Sequence, residues 1–490
     1  MSLSNERGVA LVMALLMILA ASIITSSLMV VARTEAFSSL SYTAMSQVRY
    51  GAESAIHATS NHLLFTYAPP SSASAIDPIG NYDMTVSPVR YNGNPVVLSS
   101  DPAVPSNYPA AVVVNAFQAA SRGTLNVNSA SVGYTTRATL LSMRVLTDYY
   151  TQQPITLQTW EITGAGRVTG SGSSYVEVMS TLERQPIPVF GYATFATFNG
   201  CDALSFAGGA TTESYDSGAP LVGGAPSISQ SDGNVGTNGN LTGNGNPTTI
   251  YGTLSTPRAG VGNCTTNNVT AATISGWATV QDGLVTLPQP VNYPTPASFP
   301  PPPNSNVSFN NGNCPSNAPF CTKSGGVYTI TPPAPGALVQ MGDVSLTGSS
   351  IVHLNAGIYE INSVSLAGNS KIVIDSGPVI IKVSGQGVTT PIDLSGGGVS
   401  NPSLDPTKLQ FIYGGTGNIK ITGGTDTAAL VYAPNADAAL TGSSTNFYGA
   451  IITSRVTATG GFNIYYDRRL QSSVLTAGNP TMTSFTWSTF

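Results

Sequence analysis

The longest apolar run lies near the start of the sequence. From residue 9 to residue 32 (VALVMALLMILAASIITSSLMVVA) no side chain is charged, and Arg33 closes the run. At about 1.5 Å per residue it is long enough to cross a bilayer as a helix. Its only polar side chains are Ser22, Thr25, Ser26 and Ser27, hydroxyls that bond back to helix carbonyls. Beyond Arg33, Phe37, Leu40, Ala44, Val48, Ala55 and Leu63 recur mostly at three- and four-residue steps or their multiples, with no Pro before Pro69. This periodicity predicts one helix running from the apolar segment to about Phe65. A cleavable secretory signal has a shorter apolar core and a small-x-small site, and does not usually continue as an amphipathic helix.

After Pro69 the period changes. Pro, Ser and Asn interrupt the chain as far as Pro109; residues 139–147 (TLLSMRVLT) and 156–163 (TLQTWEIT) then largely alternate apolar with polar, as half-buried antiparallel strands do. Residues 159–166 and 175–182 read as a hairpin turned over Gly170 to Ser174. Beyond Phe190 an internal repeat sets in. Residues 344–354 (VSLTGSSIVHL) recur at 364–374 (VSLAGNSKIVI), an offset of 20 that keeps most apolar positions in place. Weaker copies follow at 419–423 (IKITG), 438–442 (AALTG) and 456–460 (VTATG), with earlier candidates at 204–208 and 240–243. Short strands repeating every 20 or so residues between Gly and Asn turns are the pattern of a β-solenoid, in which each coil buries its apolar face on the next. A leucine-rich repeat has a similar period, but Leu and helix formers are too scarce between these strands.

Composition supports a turn-rich β protein. Of 490 residues, 18 are Lys or Arg and 23 are Asp or Glu, so 8% are charged against about 25% in an ordinary domain. Stacked coils tolerate aligned Ser, Thr and Asn better than aligned like charges. The 51 Gly and 34 Pro lie among Ser, Thr and Asn without a collagen period, and 41% hydrophobic residues suffice for a core. A net charge of -5 argues against nucleic acid as the main partner.

Arg7-Gly8-Val9-Ala10-Leu11, followed by an apolar helix that continues amphipathically, resembles the class III signal of type IV pilins and pseudopilins. With Gly51-Ala52-Glu53-Ser54-Ala55 near the end of the helix, the first 65 residues resemble the PilX-type minor pilins more closely. The resemblance implies cleavage by a prepilin peptidase between Gly8 and Val9, with Val9 becoming the N-methylated first residue. Residues 1–8 are then the leader, 9–68 the helix and 69–188 a small antiparallel pilin-like head. Major pilins carry Glu as the fifth mature residue; Met13 stands there here, which counts against a major pilin. The later part resembles the β-helical domain found behind PilX-type N-termini, through residues 190–193 (FGYA), 212–217 (TESYDS), 357–359 (GIY), 431–437 (VYAPNAD), 447–451 (FYGAI) and 465–467 (YYD).

Together these imply a mainly β protein with a long N-terminal α-helix, a right-handed parallel β-helix over 189–470 and a tail over 471–490. The implied setting is the bacterial inner membrane, then a pilus or cell surface. The implied partners are the lipid bilayer, other pilins, inner-membrane assembly proteins and an adhesion target such as a polysaccharide or a host or abiotic surface. The function expected is a non-enzymatic minor pilin whose β-helix serves adhesion or assembly priming. A membrane-anchored or secreted carbohydrate-binding or carbohydrate-active β-helix is the alternative.

Chemical candidates are few. Residues 288–303, ending in four prolines, are a polyproline II stretch expected as a strap outside the solenoid. Cys201, Cys264, Cys314 and Cys321 are even in number and are expected as disulfides outside the cytoplasm; Cys314 with Cys321 would close a tight loop, and three pairings are open. A zinc site of all four is the rival, without a C-x-x-C pair to support it. No hydrolase elbow, zinc-protease motif or P-loop occurs. His57 and His62 are five apart on the helix, a poor ligand spacing, and His353 falls on a solenoid strand. Asp393, Asp405, Asp426, Asp437, Lys408 and Lys420 are spaced irregularly through turn-like sequence rather than as paired carboxylates, so no catalytic, metal or cofactor site is assigned.

Overall fold

The helix α1 spans Glu6–Phe65, ending where its apolar periodicity ends. In this computed structural model residues 6–72, 74–127, 130–168, 174–302, 305–334, 336–422, 426–442 and 445–489 are described. The chain divides into two compact units, one of Met1–Asp148, Gln152–Ile187 and Ala477–Phe490, the other of Tyr149–Thr151 and Pro188–Thr476.

In the first unit Val48, Ala52, Ala55, Ile56, Thr59 and Leu63 form one buried stripe along α1, the spacing of a helix laid on a sheet. The sheet runs in the order Val97–Ser99, Ala130–Thr147, Pro154–Val168, Tyr175–Pro188 and Leu475–Thr489, with Gly123–Val127 also on Ala130–Thr147. Two glycines set the helix-to-sheet distance. A Cβ on Gly166 would lie 2.2 Å from the Val48 carbonyl oxygen, and one on Gly164 would lie 2.4 Å from that of Ala52. Helix backbone therefore rests directly on strand backbone. The hairpin pairs Arg167 with Tyr175 and Thr159 with Glu183; its expected turn lies, except for Ser174, outside the described residues.

Two features of this unit were not read from the sequence. Residues 111–120 (AVVVNAFQAA) form a second helix, α2 (Ala111–Ala120), although three successive Val favour a strand. Its Phe117 is buried, edge-on to the His62 ring at 6.0 Å, so tertiary burial overrides local preference. Residues 471–490, left as a tail by the sequence, contain Leu475–Thr489, a strand of the head sheet. It is held beside Tyr175–Pro188 by the Arg184 Nε donor to the Gly478 carbonyl at 2.9 Å.

A chain of polar side chains crosses the interior of this unit. Trp160 Nε1 donates to Gln158 Oε1 (3.1 Å), whose amide donates to the Tyr67 hydroxyl (3.2 Å). Tyr67 shares a hydrogen bond with Tyr108 (2.8 Å), and Tyr108 and Tyr82 donate to the two oxygens of buried Asp77 at 2.5 and 2.6 Å. Burial first, then neighbouring charge, holds the Tyr108 hydroxyl far above its ordinary pKa, so it remains a donor to the carboxylate.

The second unit is a pile of parallel strands. Leu338–Leu346 pairs with Gly357–Leu366 in the register of the repeat, Val344 on Val364 and Leu346 on Leu366. Val379–Val383 and Ile392–Leu394 follow, then Leu409–Tyr413 and Ile419–Thr422, then Thr427–Thr441 and Asn446–Thr459, every step parallel. A further wall of parallel strands runs through Val327–Ile330, Ile351–Leu354, Lys371–Ile374 and Val399–Ser400. Inward Val, Ile, Leu, Tyr and Phe from these strands make one continuous core.

The order of the pile departs from the order of the sequence. Asn446–Thr459, near the chain's end, pairs in parallel with Thr194–Ala196 and Leu204–Ala207, near the unit's start. Asn463–Asp467 likewise pairs with Thr211–Tyr215. From that seam the early strands build onward through Val235–Thr237 and Leu254–Thr256 to Leu284–Thr286. The chain must then return to the far end, where Val307–Phe309 pairs with Leu338–Leu346.

The proline-rich segment makes that return. The Val291 N–H donates to Asn238 Oδ1 (2.8 Å), Tyr432 OH to the Pro294 carbonyl (2.6 Å), Ser384 Oγ to that of Phe299 (3.0 Å) and the Gly342 N–H to that of Ser305 (2.8 Å). Seven strand spacings of about 4.8 Å separate the first anchor from the last, roughly 34 Å. Fourteen residues at about 3.1 Å in polyproline II reach about 43 Å, enough for the traverse.

Candidate functional site

Where α1 leaves the sheet its character inverts. Each large apolar side chain from Val9 to Val31 is between 49% and 71% exposed. The helix is long and apolar enough to cross a membrane by length and composition. Within the run Thr25 donates to the Ala21 carbonyl (2.7 Å), and just beyond it Thr34 donates to that of Val30 (2.8 Å), the back-bonding that suits a hydroxyl in hydrocarbon. The expected processing junction falls at the start of this segment. Gly8 and Val9 are already helical, and Val9 is exposed.

Further along, the Ala-Glu-Ser-Ala segment meets the head. Ala52 and Ala55 are fully buried, Ala55 lies beside Gly164, and Glu53 faces outward, paired with Arg49 at 2.8 Å. Small side chains on helix and strand together permit the backbone contact. Gly164 and Gly166, two apart and so on one face of their strand, are the matching half that the sequence reading assigned only to the hairpin.

The four cysteines form two disulfides, Cys201–Cys264 and Cys314–Cys321. The first ties the turn before Leu204–Ala207, at the seam, to the excursion between Leu254–Thr256 and Ala272–Ile274. The second closes a loop at the far end of the pile, where Ala318 is buried in the core and Tyr328 OH donates to the Gly312 carbonyl at 2.8 Å.

The acidic and basic candidates are engaged singly in turns and ladders. Asp393 accepts from the Ser395 N–H (3.0 Å), and Asp405 accepts from the N–H and hydroxyl of Thr407 (3.0 and 2.6 Å) at a short turn containing Lys408. Asp437 pairs with Arg455 (3.2 Å), and Lys420 stands opposite Asp393 in the strand register. Asp426 begins a polar ladder: Asn446 donates to it (3.0 Å), Asn463 to Asn446 (3.0 Å) and Thr211 to Asn463 (2.9 Å), the last bond crossing the seam. His353 Nδ1 lies 2.6 Å from Asp375 Oδ1 on a partly exposed face, whereas His57 is exposed and His62 buried on α1. Among the described residues no group of three His, Cys, Asp or Glu could hold a metal ion.

Asp467, which the sequence marks only as the end of the 465–467 segment and gives no chemical role, sits at the seam. Its Oδ1 accepts from the N–H groups of Ser217 and Arg469 (3.2 and 3.1 Å), and Oδ2 is buried without a hydrogen-bond partner. Burial, and to a lesser extent the Asp405 charge, raise its pKa; hydrogen bonds oppose the rise.

A domain of unknown function, DUF7305, matches residues 343–473, which span the parallel pile from Leu338–Leu346 to the seam. No curated protein matches the chain. Among solved structures, the crystal structure of the competence-associated pilin ComZ from Thermus thermophilus is similar at 12% identity, covering 75% of this chain and 88% of that one, with a TM-score of 0.24.

Proposed function

We propose that this chain is a minor-pilin-like structural protein without enzymatic activity, held in the inner membrane by α1 and then built into or onto the tip of a type IV pilus-like filament. The observation that carries this reading is the division of one unbroken helix. Its first part exposes every large apolar side chain, while its last turns are clamped to the head sheet through Gly164 and Gly166. An exposed apolar surface of that extent needs lipid or other helices around it. A plain anchor needs no such rigid continuation into a folded head.

In this reading prepilin peptidase cuts between Gly8 and Val9, Val9 is methylated, and other pilins surround the helix after extraction from the bilayer. The parallel pile is read as a β-solenoid, right-handed by the ordinary hand of parallel crossovers, and offered for adhesion or for priming assembly. The 20-residue register between Leu338–Leu346 and Gly357–Leu366 supports that architecture.

Intact mass and N-terminal sequencing of the protein recovered from membranes containing its cognate prepilin peptidase test the reading. A chain that begins at methylated Val9 is expected. An intact Met1 would reduce α1 to an anchor, and cleavage beyond Ala32 would make it a secretory signal.

A further inference from the structure

The first unit carries a cleft that the assembly role does not use. Its volume is about 920 Å³, and its lining includes Asp101, Arg122, Tyr134, Arg167 and Tyr175. Gly133 leaves the cleft face bare: it pairs with Arg167, and a Cβ there would meet nothing closer than the Arg167 carbonyl at 3.9 Å, whereas Tyr134 pairs with Gly166 on the face turned to α1.

The charges around this cleft are unevenly satisfied. Among the described residues Arg122 has no hydrogen bond or ion pair, and Arg167 has only the Tyr175 ring, 5.7 Å from its guanidinium carbon. The carboxylates nearby are already engaged. Asp101 Oδ1 accepts from the Ala103 N–H of its own loop at 2.9 Å, and Glu177 accepts from the Tyr175 hydroxyl. Two guanidinium groups are thus free to pair with an anion, beside the ring of Tyr175.

The anion's carrier follows from the same lining. Asp101 and Glu177 share the adjoining groove, where sugar hydroxyls can donate to them and the oxygens of a phosphodiester backbone, which only accept, cannot. A uronate ring places one carboxylate among several hydroxyls, which donate to acidic and tyrosyl oxygens, and its apolar ring face suits tyrosine.

We infer that this cleft binds an acidic saccharide of the uronate class, its carboxylate held by Arg122 and Arg167 and a sugar ring lying along Tyr175. The site belongs to the head and does not depend on whether α1 is processed.

Calorimetric titration of the full chain in detergent micelles tests this with three acidic probes: galacturonate, guluronate and hyaluronan oligomers. A neutral galactose oligomer and a single-stranded oligonucleotide serve as controls. At least one acidic oligomer is expected to bind, more tightly than either control. The doubly substituted Arg122→Gln, Arg167→Gln chain is expected to bind at least about tenfold more weakly, with unchanged circular dichroism because both arginines are exposed. Tyr175→Phe, which keeps the ring and loses only a hydroxyl already donated to Glu177, is expected to lose less. Silence toward all three acidic oligomers at millimolar concentration would overturn the inference. So would equal binding of the neutral oligomer, preference for the oligonucleotide, or undiminished binding by the double variant.

Discussion

The head and the parallel pile solve the same problem, burial of a β-sheet face, by opposite means. In the head one helix covers the sheet, and the contact narrows to a line where Gly164 and Gly166 lie under the Ala52 and Val48 carbonyls. In the pile parallel strands enclose a shared apolar core, and polar side chains repeat in ladders such as Asp426, Asn446, Asn463 and Thr211. The head therefore concentrates its dependence in a few atoms, whereas the pile spreads it over many similar contacts. Single substitutions should be severe in the first and mild in the second, except where a long-range tie closes the pile.

The largest effect expected tests that exception. Replacing Cys201 and Cys264 by Ser removes a tie across 63 residues and should cost about 4 kcal/mol by the loop-entropy relation. Replacing Cys314 and Cys321, 7 residues apart, should cost about 2 kcal/mol. Urea unfolding of the second unit, followed on the two double variants, checks the ranking; equal losses would mean that local capping of the core outweighs loop length.

Next is Gly166→Val, whose Cβ would collide with the Val48 carbonyl. Destabilisation of the head by about 3 kcal/mol is expected, read as early proteolysis between residues 48 and 187 with the pile still protease-resistant. A head that tolerates the substitution would show that the helix can lift away at little cost, and would break the contrast.

Asp467→Asn is a milder change with a pH signature. Burial raises the folded-state pKa of this carboxyl, so the folded chain holds that proton more tightly than the unfolded chain. The favourable contribution is present below the ordinary carboxylate range, about pH 4, and declines as pH rises through the raised value. The amide cannot ionise. The variant should be more stable than the parent at neutral pH, with the difference closing below about pH 4, in thermal unfolding measured across that range. A constant difference at all pH values would locate the effect in packing instead.

The smallest effect is expected from Asn463→Ala. It breaks two ladder bonds on a partly exposed surface and should cost about 1 kcal/mol, measurable as a small shift in the pile's urea midpoint. A loss of several kcal/mol would mean that the ladder, rather than the apolar core, holds the seam.

Much of the fold was legible where local pattern and tertiary contact agree. α1 ends at Phe65 because its periodic apolar positions end there and Pro69 and Pro70 follow. The copies at 344–354 and 364–374 stack in register because an offset of 20 preserves inward Val, Leu and Ile. Less of the candidate site was legible. The Ala-Glu-Ser-Ala segment is visible in the sequence, but its partner glycines lie more than 100 residues away, in a run that reads only as one arm of a hairpin. Arg122 and Arg167 belong to different strands and connections, with no motif joining them. Asp77 and Asp467 resemble ordinary loop acids until burial is known.

The sequence specifies the apolar helix and its length, the head's alternating strands and the repeat of the pile, because each follows from the periodicity of neighbouring residues. It left three cysteine pairings open and suggested coils stacked in chain order. The folded chain shows in addition that Asn446–Thr459 and Asn463–Asp467 receive the early strands, that residues 291–302 run back along the pile, and that Leu475–Thr489 completes the head sheet. The physical reason is that a parallel strand edge accepts any strand with matching inward side chains. Phe195 and Leu204 fit the edge formed by Ile452 and Val456 as readily as a sequence neighbour would, so the choice among compatible edges depends on the reach of the connecting chain and on what else the completed fold must bury.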